Sequence, residues 1–147
     1  MTRKSDPLPH ATTLHVKQYC LCLAAQRAAR ALARRFDAAF APFDLTNGQF
    51  SLMMALNRPE PPLMRDVAQL LAMDRTTLTA ALKPLERRGL VRVAVDKADR
   101  RGRRLTLTAA GKRLLVKAYP VWEKTLSEVE RALPDAAALR ADLWAIT

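Results

Sequence analysis

The chain has 147 residues, half of them apolar, and its 25 Lys and Arg against 14 Asp and Glu give a formal net charge of +11. That length suits one domain, or one domain with an extension, and the charge favours a polyanion as partner, either nucleic acid or an anionic membrane surface. No apolar run approaches the roughly 20 residues that span a bilayer, and the N-terminal MTRKSDPLPHATT lacks the apolar stretch of a secretory signal, so the expected location is cytoplasmic.

In chain order, residues 1–11 carry Pro7 and Pro9 and read as a mobile arm ahead of a single domain over 12–147. A long helix is predicted from Thr12 or Thr13 to about Ala41, with Leu14, Leu21, Ala25, Ala28, Leu32 and Phe36 on one broad face. Thr46 and Gln49 have the spacing of a capping box, which starts the next helix before Phe50, Met53, Met54 and Leu56. The Pro-rich segment Asn57–Pro62 breaks the chain. A short helix over Leu63–Leu71, a tight turn at Ala72–Asp74 and a helix capped by Asp74 then form a helix-turn-helix. Leu78, Leu82 and Leu85 face the core at i, i+4 and i+7, and Gly89 suits the position after the helix end. Pro84 is expected to bend the last turn without breaking it.

Val91, Val93 and Val95 alternate as a half-buried strand, and Leu105 and Leu107 return as its partner. Between them lies DKADRRGRR, with Asp99 placed to pair with Arg101 and hold the turn. Arg100, Arg101, Arg103 and Arg104 cluster at the tip. From Ala109 a helix carries Leu115, Tyr119, Trp122, Leu126, Val129 and Leu133 in a coiled-coil-like seam, kinked at Pro120 and ended by Pro134. A last helix starts at Asp135. The fold class is mostly α with a small β-hairpin. A helix of this kind enters a major groove and a basic hairpin reaches the adjacent minor groove, so Arg75, Thr76, Thr77 and Thr79 join the four hairpin arginines as candidate DNA contacts.

LTNGQF (Leu45–Phe50), DRTTLT (Asp74–Thr79), LERRGLV (Leu85–Val91), DRR (Asp99–Arg101) and LTAAG (Leu107–Gly111) together resemble the multiple antibiotic resistance regulator (MarR) family of bacterial transcription factors. The resemblance covers about residues 12–147. It implies a winged helix-turn-helix over 45–108 and an obligate homodimer built from helices over 12–41 and 109–147. It also implies binding to pseudo-palindromic double-stranded operators, with Thr76, Thr77 and Thr79 in the major groove and Arg101 in the minor groove. Ala80 and Val93 stand where many members have arginine, which alters the operator read without altering the fold.

Within that family the organic hydroperoxide regulators place a reactive thiol where Cys22 lies, flanked by tyrosines at positions that here hold Gln26 and Phe36. Phe36 has no hydroxyl to polarise sulfur. On one continuous helix Cys20 and Cys22 lie about 200° apart, too far round to chelate a metal together. His15 sits near the first helix start, where relatives often hold an aromatic carboxylate. His15, Cys22 and Gln26 are therefore candidate effector contacts, for a small aromatic acid or similar anion. No Ser/His/Asp set, paired-carboxylate motif, metal box or Gly-rich phosphate loop is visible, so no catalysis, cofactor or metal is expected. The reading is a dimeric regulator, a repressor released by such an effector. Its rivals are a thiol redox sensor using Cys22 and a sequence-tolerant architectural DNA protein.

Overall fold

A computed structural model describes residues 7–147. The arm expected over 1–11 lies mostly outside the described residues. The elements are α1 (His10–Tyr19), α2 (Leu21–Phe40), a 3₁₀ turn (Ala41–Phe43), α3 (Asn47–Ala55), α4 (Met64–Leu70), α5 (Arg75–Arg87), β1 (Val91–Val95), β2 (Arg103–Leu107), α6 (Ala109–Glu130) and α7 (Ala136–Ile146). The chain divides into two compact units between Arg34 and Arg35.

The first unit differs from the long helix predicted from Thr12. The helix already begins at His10, behind Pro9 in extended conformation, and it stops at Tyr19. Cys20 leaves the helical region with ψ 104°, and α2 restarts at Leu21. Cys20 closes one helix and opens the next: its N–H donates to the Val16 carbonyl at 2.9 Å, and its sulfur accepts from the Leu23 N–H at 3.4 Å. No proline or glycine marks this break, which explains why the sequence pattern runs straight through it. Cys20 and Cys22 therefore do not share one continuous helix, and the separation of about 200° expected for them does not apply. Among the described residues, none before Phe36 is buried.

The second unit holds the core. Phe36 and Phe40 on the end of α2 lead into an aromatic ladder, with Phe40 stacked on Phe50 at 4.7 Å and Phe50 on Trp122 at 6.3 Å. Thr46 and Gln49 close the expected capping box reciprocally, at 3.2 and 3.0 Å. Leu78, Leu82 and Leu85 of α5 are all within 1% of full burial. Truncating any one to Ala should cost about 2–5 kcal/mol. Helix α5 continues through Pro84 to Arg87. Its end is a Schellman motif: Gly89 adopts φ +67°, its N–H donates to Glu86, and the Leu90 N–H reaches back to Leu85 at 3.0 Å. Arg88 donates to the carbonyls of Asp44 and Phe43, fastening this corner to the loop before α3.

Strands β1 and β2 pair antiparallel, Val91 opposite Leu107 through Val95 opposite Arg103. Thr108 caps α6 and donates its hydroxyl toward the Gly89 and Leu90 carbonyls, at 2.7 and 3.0 Å, so the hairpin base, the α5 end and the α6 start share one joint. Gly111 sits against that joint. The Leu115–Leu133 seam is not a free face. Leu115 is buried, and Trp122, Leu126 and Val129 pack on this chain's own core beside α3. The helical periodicity holds, and four of its six residues meet the chain's own core, while Tyr119 is exposed. Exposed apolar side chains lie on α6 itself, at Val116 and Tyr119, on α7, where Leu139, Leu143 and Ile146 fall at i, i+4 and i+7, and on α1, with Leu14 and Val16.

Candidate nucleic-acid interface

Asp74 starts α5 from an extended backbone. One of its carboxylate oxygens accepts the Thr77 N–H at 2.7 Å and the other accepts the Thr77 hydroxyl at 2.8 Å. These two bonds from Thr77 hold the Asp74 carboxyl below its ordinary range. Thr79 donates its hydroxyl to the Arg75 carbonyl at 2.7 Å. Arg75, Thr76, Thr77 and Thr79 are all exposed on the first turns of the helix. The tight turn ahead of them is made by Ala72 in the left-handed region, φ 51°, with the Met73 N–H donating to Ala68 at 2.9 Å.

The four hairpin arginines do not share one role. Arg100 and Arg101 are exposed at the tip. Asp99 accepts the backbone N–H of Arg101 at 3.0 Å, so it shapes the turn through the main chain and not through the expected ion pair. A carboxylate two residues before an N–H closes such a turn without help from a guanidinium. Arg103 folds back on the Arg100 and Gly102 carbonyls, both at 3.1 Å. Arg104 points away from the tip: it donates to buried Asp96 at 3.0 Å and to the Pro61 carbonyl at 2.8 Å. The bond from Arg104 holds the Asp96 carboxyl below its ordinary range. The Leu105 N–H donates to Pro62 at 3.0 Å, and Leu63 bridges Arg104. The Pro-rich segment thus clamps the outer edge of β2 and fixes the wing against the helix-turn-helix. No short-range pattern could signal that role for Arg104, because its carbonyl partner lies 43 residues away.

Between α4, the start of α5 and the wing lies a cavity of about 530 Å³. Its floor includes Met64, Ala68 and Met73, and its rim carries Arg75, Arg101 and Arg103. The start of the second helix and the wing tip therefore border one depression, which is lined by Asp96 and Asp99 as well as by these arginines. A second cavity, about 380 Å³, is walled by Phe50, Met54, Leu70, Leu71, Tyr119 and Trp122. Sequence reading missed it, because its walls come from three separated helices. Tyr119 at its edge donates to Glu123 at 2.9 Å, and that bond raises the phenol above its ordinary range.

The expected effector residues are only partly brought together. Gln26 donates its amide to the Cys22 sulfur at 3.2 Å and accepts from Arg30 at 3.1 Å, all on exposed α2. His15 lies on α1, before the break, with its ring against Tyr19 at 4.7 Å. Among the described residues no cluster of His, Cys, Asp and Glu could hold a metal ion, and no helix is long and apolar enough to cross a membrane.

Residues 43–102 match the model described as "MarR family". Over 132 residues the chain is 33% identical to the HTH-type transcriptional regulator TtmR of Methylorubrum extorquens, covering 85% of this chain and 68% of that protein. The transcriptional regulator MosR of M. tuberculosis, solved in complex with DNA, superposes with a TM-score of 0.80 at 37% identity, covering 86% of this chain and 92% of that one. The transcriptional repressor CouR of Rhodococcus jostii, bound to a 23-mer DNA duplex, superposes with a TM-score of 0.72 at 27% identity, over 89% and 92% of the two chains.

Proposed function

Because this chain belongs to the MarR family of DNA-binding transcriptional regulators, we propose that it acts as a homodimeric, sequence-specific repressor that a small aromatic acid releases from a pseudo-palindromic operator. The observation that carries the DNA part is the shared border of the 530 Å³ depression, where Arg75 of α5 and Arg101 of the wing stand together. In this reading Arg75, Thr76, Thr77 and Thr79 enter the major groove, and Arg100 and Arg101 reach the adjacent minor groove. Arg103 and Arg104 shape and anchor the wing. Repression is supported by the likeness to the repressor CouR.

The dimer is assigned to the helices over 12–41 and 109–147, now on the exposed apolar residues of α1 and α7. An apolar stripe left in water at Leu139, Leu143 and Ile146 marks a face that another surface covers. The 2-fold partner sets the two recognition helices about 34–36 Å apart, and an effector that favours another spacing releases DNA by population shift. The 380 Å³ cavity, with Phe50, Tyr119 and Trp122 in its walls, suits an aromatic ring better than the exposed His15, Cys22 and Gln26 do.

One observation favours a second reading. Cys22 is exposed and hydrogen-bonded, and the helix break frees neighbouring Cys20 from the helical geometry that kept the two thiols apart. Fluorescence anisotropy on a duplex selected from random DNA decides between them. Release by aromatic acids in both parent and Cys22→Ser supports the effector reading. Release by peroxide alone, lost in Cys22→Ser, supports the thiol reading and overturns the first. Preference for the selected duplex over random DNA of less than about 10³-fold would point to an architectural protein instead.

A further inference from the structure

We propose that Asp74 is a specificity-determining residue: by accepting the hydrogen bond of the Thr77 hydroxyl, it leaves Thr77 only lone pairs and a methyl group with which to meet a base. The proposal rests on the placement of Thr77 in the major groove. A free threonine hydroxyl rotates and can either donate or accept, so it distinguishes bases poorly. This one cannot rotate freely. The carboxylate oxygen 2.8 Å away has no proton to give, so the shared proton belongs to Thr77 and points at Asp74. The other carboxylate oxygen is fixed by the Thr77 N–H at 2.7 Å, which locks the pair as a ring. Ionisation of Asp74 is favoured by the same two bonds.

What remains on the outer side of Thr77 is an acceptor. Adenine N6 and cytosine N4 carry amino hydrogens that such an acceptor takes up, whereas guanine O6 and thymine O4 are themselves acceptors and are repelled. The Thr77 oxygen therefore reads amino against keto. Thr79 has the same polarity from a different source. Its proton goes to the Arg75 carbonyl at 2.7 Å, and the Met64 sulfur at 4.0 Å does not compete. Arg75 supplies the complementary chemistry, since its guanidinium only donates and suits guanine O6 and N7. The start of α5 thus offers donors from Arg75 and fixed acceptors from Thr77 and Thr79.

The substitution Asp74→Asn tests this. Asparagine caps a helix about as well as aspartate. Its amide oxygen must face the Thr77 N–H, so its NH₂ faces the Thr77 oxygen and donates to it. The hydroxyl proton is then turned outward. Full-length parent, Asp74→Asn, Thr77→Val and Thr77→Ser are each used to select duplexes from a random library, and each base pair of the selected half-site is then varied in competition titrations. The parent should prefer amino over keto bases at one position per half-site by about five- to tenfold, the worth of one hydrogen bond. Asp74→Asn should reduce that ratio below about twofold. It should leave the Thr79 position unchanged, while affinity for all sequences rises together because a negative charge is gone. Thr77→Ser, which keeps the hydroxyl and its bond to Asp74, should retain the amino preference; Thr77→Val should lose it. Loss of preference in Thr77→Val with full retention in Asp74→Asn overturns the proposal and leaves Thr77 as a base contact. Preference unmoved by either substitution overturns the base contact and the proposal together.

Discussion

Gly111→Ala isolates the joint between the wing and α6. A Cβ built on Gly111 lies 2.3 Å from the Leu90 carbonyl oxygen and 2.7 Å from a Leu107 methyl. An ordinary carbon–oxygen contact is about 3.3 Å, so the helix and the carbonyl must separate by roughly 1 Å. The carbonyl is not free to yield, because it accepts both the N–H and the hydroxyl of Thr108, each at 3.0 Å. Overpacking of this kind costs about 1–3 kcal/mol, and the strained hydrogen bonds add about 0.5–1.5 kcal/mol each. Alanine returns about 1 kcal/mol through its higher helix propensity. The net expectation is a loss of about 1–5 kcal/mol. For a chain of this size that is a fall of about 2–20 °C in melting temperature, read by far-UV circular dichroism. Propensity alone has the opposite sign. An unchanged or raised melting temperature would show that the close approach of α6 to Leu90 does not exist.

Other expectations concern the wing, the turn and pH. Arg101→Ala should weaken binding to sites with narrow A·T-rich flanks and leave the melting temperature unchanged, whereas Arg104→Ala should lower both, since it removes the clamp on Asp96 and Pro61; anisotropy with parallel melts compares them, and equal melts refute the division of roles. Ala72→Gly should raise the melting temperature by about 2–4 °C by relieving a left-handed φ that costs a non-glycine residue about 1 kcal/mol; a fall in the melt would remove the strain argument. Asp74 and Asp96 both titrate below the ordinary aspartate range, so their contribution is complete above that range and is lost as pH falls through the lowered values. Melts across an acid series should stay level to the edge of the aspartate range and then drop, with a shallower drop in Asp96→Asn; equal slopes in the two proteins refute the assignment.

The sequence was most legible where a local rule carries its own chemistry. The Thr46–Gln49 box, the Asp74 and Asp135 caps, the left-handed Gly89 and the leucine stripe of α5 each depend on residues within one or two turns, and each stands as read. Legibility failed where the deciding partner is distant or the signal is weak. Four arginines in a row of nine residues look alike in sequence, yet Arg104 is turned inward by a carbonyl supplied from Pro61. The α6 seam has the period of a helix-pairing face, but periodicity does not name the partner, which for Leu115, Trp122, Leu126 and Val129 is the chain's own core. The Cys20 break has no proline or glycine to announce it. Cysteine and tyrosine are only modest helix formers, and that is too faint a cue to override the alanine-rich run that follows.

Among the described residues no side chain before Phe36 is buried, which bears on how the two units exchange with solvent. Isolated helices of this length are marginal in water even when rich in alanine, so amide protons in α1 and the first half of α2 exchange at the pace of local helix fraying. Amides at Phe40, Met53 or Leu82 exchange only when the core opens as a whole. Dilution therefore acts on the two units differently. If the proposed dimer covers the N-terminal helices, exchange there slows in proportion to subunit occupancy while the core rates stay where they were. The N-terminal unit would then serve as a gauge of assembly, readable peptide by peptide as protein concentration is lowered.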